Sequence, residues 1–304
     1  MIVACGEALI DMIQNQDGSR RAVPGGGPFN TARALARLGV PTAFLGHLSN
    51  DSFGRELGCL LQADGVGMQY VTVGPEKTTI AIADINSEGV AEYRFLVEGT
   101  SAPNLTREMI PPDFDDDVTA IHVGTLGLVF EPMADALVGL AKREGSRRVL
   151  MLDPNVRTAL SSDLEYRDRL QCVIEQSTVV KASDTDLAWL YPDHDFEEAA
   201  KRILDRGVAL VIVTLGADGA FGAYRDLRVR VEAPRVDVVD TIGAGDAFGA
   251  ALLAWLHNHG SLRTDLVLDD AELKAALDYS CLAAAINCTC AGADPPRRRE
   301  MISA

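Results

Sequence analysis

The sequence predicts an α/β fold: a three-layer sandwich with a central, mostly parallel sheet and a small β-sheet lid. Three observations carry this. Short apolar runs alternate with longer segments whose apolar residues recur at helical spacing, the pattern of a parallel sheet covered on both faces. One β-hairpin pattern interrupts that rhythm. Beyond Thr241 the chain reads as mainly helical. At 304 residues the chain slightly exceeds the size at which one core stops growing. The expectation is one large domain over residues 1–304 with a small appendage.

The elements follow in order. Ile2–Cys5 opens the chain as a strand. The stretch MIVACGEALIDMI has no basic leader and carries Glu7 and Asp11, so it does not read as a signal peptide. Residues near Asp11–Ala22 are expected to add strands to the lid. Asn30–Leu38 reads as a helix whose apolar face is Ala34, Leu35 and Leu38. Thr42–Leu48 is a strand and Phe53–Ala63 a helix. Thr78–Val97, TTIAIADINSEGVAEYRFLV, alternates apolar residues around a turn at Ser87-Glu88-Gly89, which makes a hairpin. Hairpins are foreign to a pure βαβ chain, so the lid is assigned to about 12–22 and 74–100. Asp113–Asp117, DFDDD, reads as a solvated acidic loop, with a cation site as the lesser reading. Strands Ala120–Val123, Arg148–Leu152, Val179–Lys181, Leu210–Thr214 and Ala220–Arg225, with helices Pro132–Arg143 and Phe196–Arg206, complete the alternation.

Composition excludes several classes. The formal net charge of −16 argues against a nucleic-acid partner, which needs clustered Lys and Arg. It leaves room for a phosphate-bearing ligand held by backbone N–H groups and one or two cations. No apolar run approaches the length that spans a bilayer, so no membrane partner is expected. The six cysteines (Cys5, Cys59, Cys172, Cys281, Cys288 and Cys290) form no C-x-x-C pair and no zinc spacing, and a reduced cytoplasmic compartment is the simplest reading. Hydrophobic content of 47% and charged content of 24% are those of an ordinary globular protein.

Two stretches carry chemistry. In Asp240–Phe248, the small residues Gly243-Ala244-Gly245 lead into Asp246 and an apolar run. A helix starting near Asp246 points its free N–H groups back at that turn, which makes an anion hole. Asp246 at its mouth cannot hold the anion but can take a proton from an attacking hydroxyl, as phosphoryl transfer to an alcohol requires. A tight turn with a simple cap is the competing reading. The stretch is not a Walker A loop. In Pro24–Gly39, three glycines precede a helix; they could let backbone lie against a ligand, and Asn30 offers both a donor and an acceptor to hydroxyls. A flexible loop before a core helix is the competing reading.

Together, Gly25-Gly26-Gly27-Pro28-Phe29-Asn30 and Asp240–Phe248 resemble the paired motifs of the PfkB, or ribokinase-like, family of carbohydrate kinases. The resemblance spans the chain, and the shorter pieces Gly6–Met12, Tyr93–Ala102, Asp153–Arg157 and Val213–Ala220 resemble its fructokinase branch. It implies a ribokinase-like fold and ATP-dependent phosphorylation of a sugar hydroxyl. By resemblance, Asp11, Gly25, Gly26 and Asn30 hold sugar hydroxyls, Arg94 reaches down from the lid, and Arg157 lies near the transferred phosphate. Asp246 is the base, and Gly243, Ala244 and Gly245 form the anion hole. Ser183, Thr214, Gly216 and Gly219 border ATP, and Ala284 and Asn287 flank the adenine. Asp240 and the carbonyl of Ile242 fall where many members bind a monovalent cation such as K+. The family's N-x-x-E motif, tied to Mg2+, appears here as Ser183-Asp184-Thr185-Asp186, one methylene short at Asp186. A longer water bridge would then reach the ion. Ile242 stands where the family usually has Thr or another small residue, which is harmless if only its carbonyl matters.

Fructose is the favoured sugar. A 2-keto-3-deoxygluconate kinase follows, because Arg94 and Arg157 could hold a carboxylate, and then a ribose or nucleoside kinase. Rivals from other classes are a non-catalytic sugar or nucleotide sensor, and a dinucleotide-dependent oxidoreductase, which the missing G-x-G-x-x-G after the first strand disfavours. A homodimer through the exposed lid edge is expected. His257 and His259, two apart, do not share a helix face and are no metal pair. His122 reads as a satisfied buried histidine, Cys288 and Cys290 as helix packing, Arg94 alternatively as a lid-surface charge, and Arg297–Arg299 as a solvated tail.

Overall fold

A computed structural model describes residues 1–14, 19–85, 91–157 and 164–303. Nine strands form the central sheet: β1 (Ile2–Cys5), β4 (Thr42–Ser49), β5 (Gly67–Gly74), β8 (Ala120–Gly124), β9 (Val149–Asp153), β10 (Val179–Ser183), β11 (Leu210–Thr214), β12 (Ala220–Tyr224) and β13 (Leu227–Val231). Their order is β13-β12-β11-β10-β9-β8-β1-β4-β5. Every pairing from β5 to β11 is parallel, and only the β11–β12 and β12–β13 pairings are antiparallel. A second sheet of four strands, β3-β2-β6-β7, is built from β2 (Leu9–Gln14), β3 (Arg20–Gly25), β6 (Ile80–Ile85) and β7 (Ala91–Leu96). The expected turn at Ser87–Gly89 lies outside the described residues.

Both faces of the central sheet are covered, as the continuous apolar strands require. One face packs α3 (Met133–Glu144), α4 (Leu164–Ile174), α5 (Asp184–Leu190) and α6 (Phe196–Leu204) around Val3, Leu150, Val180 and Val211. The other packs α1 (Gly27–Arg37), α7 (Ala244–Asn258) and α8 (Asp270–Cys288) around Ile2, Met151, Val179 and Ile212. Helix α2 (Ser52–Ala63) joins Phe29, Phe44 and Ile10 in a third cluster beneath the small sheet. The three layers are therefore those expected.

The differences have physical reasons. β5 and β13 went unread because both are edge strands with mixed faces: Val73 is 62% exposed, and Arg228 and Arg230 interrupt the apolar pattern. In DFDDD the four aspartates are exposed as expected, but Phe114 between them is buried beneath the guanidinium groups of Arg143 and Arg148. The three arginines of the tail are exposed as expected, but the tail is tied to the body. The Arg298 amide donates to the Arg37 carbonyl, Arg297 pairs with Asp64, and the short helix α9 (Glu300–Ser303) buries Met301. His122 is buried and held uncharged, its pKa lowered to about 3 by burial and by Lys181, yet its Nδ1 has no partner. His259 stacks on Trp255.

Candidate active site

The site forms at the carboxyl ends of the parallel strands, where α1 and α7 begin side by side. Gly243 caps α7 with φ of +77°, a left-handed conformation that favours glycine. A Cβ there would lie 2.6 Å from the Ala293 Cβ. No side chain caps this helix. The Ala244 amide turns back to Thr241 and the Ala247 amide to Gly243, while the Gly245 and Asp246 amides have no acceptor among the described residues. Gly243, Gly245 and Asp246 all line a polar cavity of about 350 Å³. The first turn of α7 thus presents positive dipole and free N–H groups to that cavity.

Asp246 is 8% exposed, and its Oδ2 accepts a 2.8 Å hydrogen bond from Nδ2 of Asn30, in the first turn of α1. Burial pushes its carboxyl up to about 6; the Asn30 bond opposes this, Asp153 adds to it, and Lys181 and Arg157 oppose it. Asn30 keeps an unpartnered Oδ1. Across the cavity, burial and Asp246 push the Asp11 carboxyl up to about 6 against the pull of Arg157. Arg157 is held by the Asn155 Oδ1 at 2.6 Å.

The glycine run does less for a ligand than its sequence suggested. A Cβ on Gly25 would meet the Asp11 Oδ2 at 2.1 Å, and one on Gly26 the Glu7 carbonyl at 2.6 Å. Gly26 still borders the cavity with φ of +108°, but Gly25 chiefly lets β3 lie against the Asp11 carboxylate.

A second, more apolar cleft of about 560 Å³ adjoins the first. Thr214, Gly216, Gly219, Ala244, Phe248 and Ala284 line it, with Val236 and Val238 from the irregular segment before α7. Thr214, Thr241 and Gly245 border both spaces. A flat apolar ring system in the larger cleft and a polyol in the smaller would therefore meet at the start of α7.

Several expected residues sit elsewhere. Arg94 is exposed and lies opposite Ile82, whereas Phe95 lies opposite Ala81, which lies opposite Asp11. Strand alternation puts Asp11 and Phe95 on the cavity face and Arg94 on the other. Arg94 therefore does not reach down into its own chain's cavity. Asn287 is fully buried and donates to the Ile242 carbonyl at 2.8 Å, so it braces the turn before α7 and does not line the larger cleft. Asp240 likewise binds the loop, accepting from the amides of Ile242 and Gly292. Ser183 caps α5 and borders the smaller cavity, not the larger. Both Asp186 oxygens are engaged by backbone amides, those of Val156 at 2.7 Å and Ser183 at 2.8 Å. Among the described residues no cluster of three or more His, Cys, Asp or Glu groups could hold a metal.

Sequence reasoning missed Glu7, Thr125, Asp153, Asn155 and Lys181 as members of the site. Glu7 is 2% exposed and accepts from the Gly27 amide and the Thr125 hydroxyl, with burial pushing its carboxyl up to about 7. It stands in for the side-chain cap that α1 lacks. Lys181 and Asp153 form a buried ion pair of 2.7 Å. The available signal was a charged residue inside or ending an apolar strand, in VVKAS and VLMLD, a rare placement for an unpaired group.

The model of the pfkB family carbohydrate kinases matches residues 1–299. The chain is 39% identical over 287 residues to a fructokinase of Rhizobium leguminosarum bv. trifolii, covering 93% of this chain and 85% of that protein. Its fold matches the crystal structure of a Vibrio cholerae O395 fructokinase with fructose, ADP and calcium bound, with a TM-score of 0.87 and 27% identity over 99% of this chain and 97% of that one. It also matches the aminoimidazole riboside kinase of Salmonella enterica with its riboside and an ATP analogue, at a TM-score of 0.85 and 26% identity, over 99% and 98% of the two chains.

Proposed function

The chain belongs to the pfkB family of carbohydrate kinases, and from that premise we propose that it transfers the γ-phosphate of ATP to a hydroxyl of fructose. The observation that carries this is the placement of one buried carboxylate, Asp246, where a polar cavity and an apolar cleft meet at a helix start with open amides. The sugar occupies the polar cavity. Asp11 accepts from its hydroxyls, and the unpartnered Asn30 Oδ1 accepts from another. The Oδ1 of Asp246, which Asn30 leaves open, takes the proton of the attacking hydroxyl. The sugar oxygen bonds to the γ-phosphorus as the bridging bond breaks and its electron pair leaves with ADP. The Gly245 and Asp246 amides face the charge on the transferring group. The lid sheet, with Phe95 packed towards Phe130 at a centroid distance of 6.2 Å, excludes water from the reacting atoms.

Mg2+ accompanying ATP would shield the charge of its phosphates, and no protein carboxylate is assigned to it. A K+ beside Asp240 and the Ile242 carbonyl would add support to a loop that Asn287 and Gly292 already hold. The sugar-acid reading weakens because Arg94 faces away from the cavity. That leaves Arg157 as the only arginine among the described residues lining it. The sensor reading weakens because Asp246 is present, buried and hydrogen-bonded at the anion hole. We place the activity in a reducing cytoplasm, in keeping with six free cysteines and no helix long and apolar enough to cross a membrane among the described residues.

The test is ADP release with Mg·ATP and K+ across fructose, 2-keto-3-deoxygluconate, ribose, other hexoses, aminoimidazole riboside and other nucleosides. Fructose is expected to give the highest kcat/KM. A higher value for a nucleoside or a sugar acid overturns the assignment of fructose.

A further inference from the structure

Lys181 lies near the end of β10 and is 4% exposed. A Cβ built on Gly245 would lie 3.1 Å from its Nζ, so the ammonium rests against the anion-hole turn itself. It also borders the polar cavity beside Asp246. This is a peculiar place for a cation. The N-terminus of a helix is the positive end of its dipole, and an ammonium against it is repelled. Burial also works against the charge, yet Asp153, Asp186 and Asp246 hold the Lys181 pKa above its usual value.

The hydrogen bonds are incomplete. An ammonium has three N–H donors. One reaches the Asp153 Oδ2 at 2.7 Å, and among the described residues no acceptor takes the other two. A buried charge with unmade hydrogen bonds is costly unless a further partner arrives. The groups around Nζ say what that partner is. Two open amides, the helix dipole and the Arg157 guanidinium border the same space, and all four favour an anion.

We propose that Lys181 is a catalytic residue of the phosphoryl transfer, its free N–H groups donating to the oxygens of the γ-phosphoryl group as charge builds on them. It remains an ammonium throughout: the hydroxyl proton goes to Asp246 and the electron pair of the broken bond goes to ADP. Asp153 holds the ammonium in place, and its second oxygen, Oδ1, has no partner of its own. This role compensates for Asp186, whose carboxylate is engaged by backbone. The inference rests on the kinase reading.

The alternative is that Lys181 only neutralises Asp153. Lys181→Met alone strands a buried carboxylate and is liable to unfold, so the deciding variant is Lys181→Met with Asp153→Asn, which removes both charges together. The double variant is expected to fold and to bind ADP and fructose within a few-fold of wild type. Its kcat is expected to fall by about 10²–10³-fold, the usual worth of one preorganised donor at a developing charge. Calorimetry with fructose, ADP and aluminium fluoride provides a second readout, since that complex imitates the transferring group. Wild type should bind it far more tightly than ADP alone, and the double variant should lose that preference. A kcat within a few-fold of wild type, or an undiminished preference for the fluoride complex, overturns the proposal. The wild-type rate on the sugar panel separately decides the kinase reading.

Discussion

At the residue scale, Asp246 combines two costs that a structural residue would avoid. It is buried, and its surroundings hold its carboxyl at about 6, above the usual carboxylate range. Removing the charge by Asp246→Asn keeps the shape and leaves Asn30 a partner. The expected outcome is a loss of at least about 10² in kcat, with ATP and sugar binding retained, measured by steady-state kinetics and calorimetry. The wild-type rate should fall on the acid side of about pH 6, tenfold per unit, as Asp246 takes up its proton. Stability should move the opposite way. Between the ordinary carboxylate pKa and about 6 the folded chain binds more protons than the unfolded one, so stability declines as pH rises through that window. Glu7, raised to about 7, and Asp11, raised to about 6, act in the same direction. Asp246→Asn should therefore melt above wild type at pH 8, and the gain should shrink as pH falls towards 4. Melting curves at both pH values check this; a gain independent of pH would show that Asp246 carries no such cost.

At the element scale, the two helix starts were legible because each pairs glycine with a sharp onset of apolar residues, and Asp246 and Asn30 could be named from them. What the chain could not reveal was which helix supports which. Asn30 of α1 holds Asp246 of α7 across 216 residues, and Asn287 of α8 holds the Ile242 carbonyl across 45. Both are single side-chain bonds that leave no periodic trace. Arg94 was misplaced for a related reason. The hairpin pattern fixes that 94 and 95 face opposite ways, but only the pairing of Ala81 with Phe95 and of Asp11 with Ala81 decides which one faces the cavity. The α7 start gives a direct prediction. Gly243→Ala must place a Cβ against Ala293 at a φ of +77°. The expected cost is about 1–3 kcal/mol of stability from the strained backbone, and the proposed mechanism, in which these amides face the phosphoryl group, predicts a fall in kcat larger than the change in sugar KM. Denaturant unfolding and kinetics measure the two effects, and a variant with unaltered kcat would show that the turn does not form the anion hole.

At the scale of the whole molecule, the catalytic body and the lid sheet meet along a line of hydrogen bonds. Thr78 donates to Asp51 from both backbone and hydroxyl, and Thr79 bridges to Thr100 and to the Ala102 amide. These fix where the lid leaves the body, so Asp11 stays above Asp246. They do not protect the far side of the lid. There the edge strand β7 carries Leu96, 51% exposed, on the same face as Arg94. An open edge beside an exposed apolar side chain is a pairing surface. The occupant argued for is a second copy of this chain, lid against lid. A chain of 32.5 kDa should then sediment at twice that mass at micromolar concentration. Leu96→Lys sets like charges opposite one another across a two-fold axis and should shift the equilibrium towards monomer without unfolding the body. Because the lid carries Asp11, the monomeric variant should also show a higher sugar KM, while its affinity for ADP, which the proposed mechanism seats against the body, should stay as in wild type. A wild-type protein that sediments as a monomer, or a Leu96→Lys variant that remains dimeric, removes the lid from the interface.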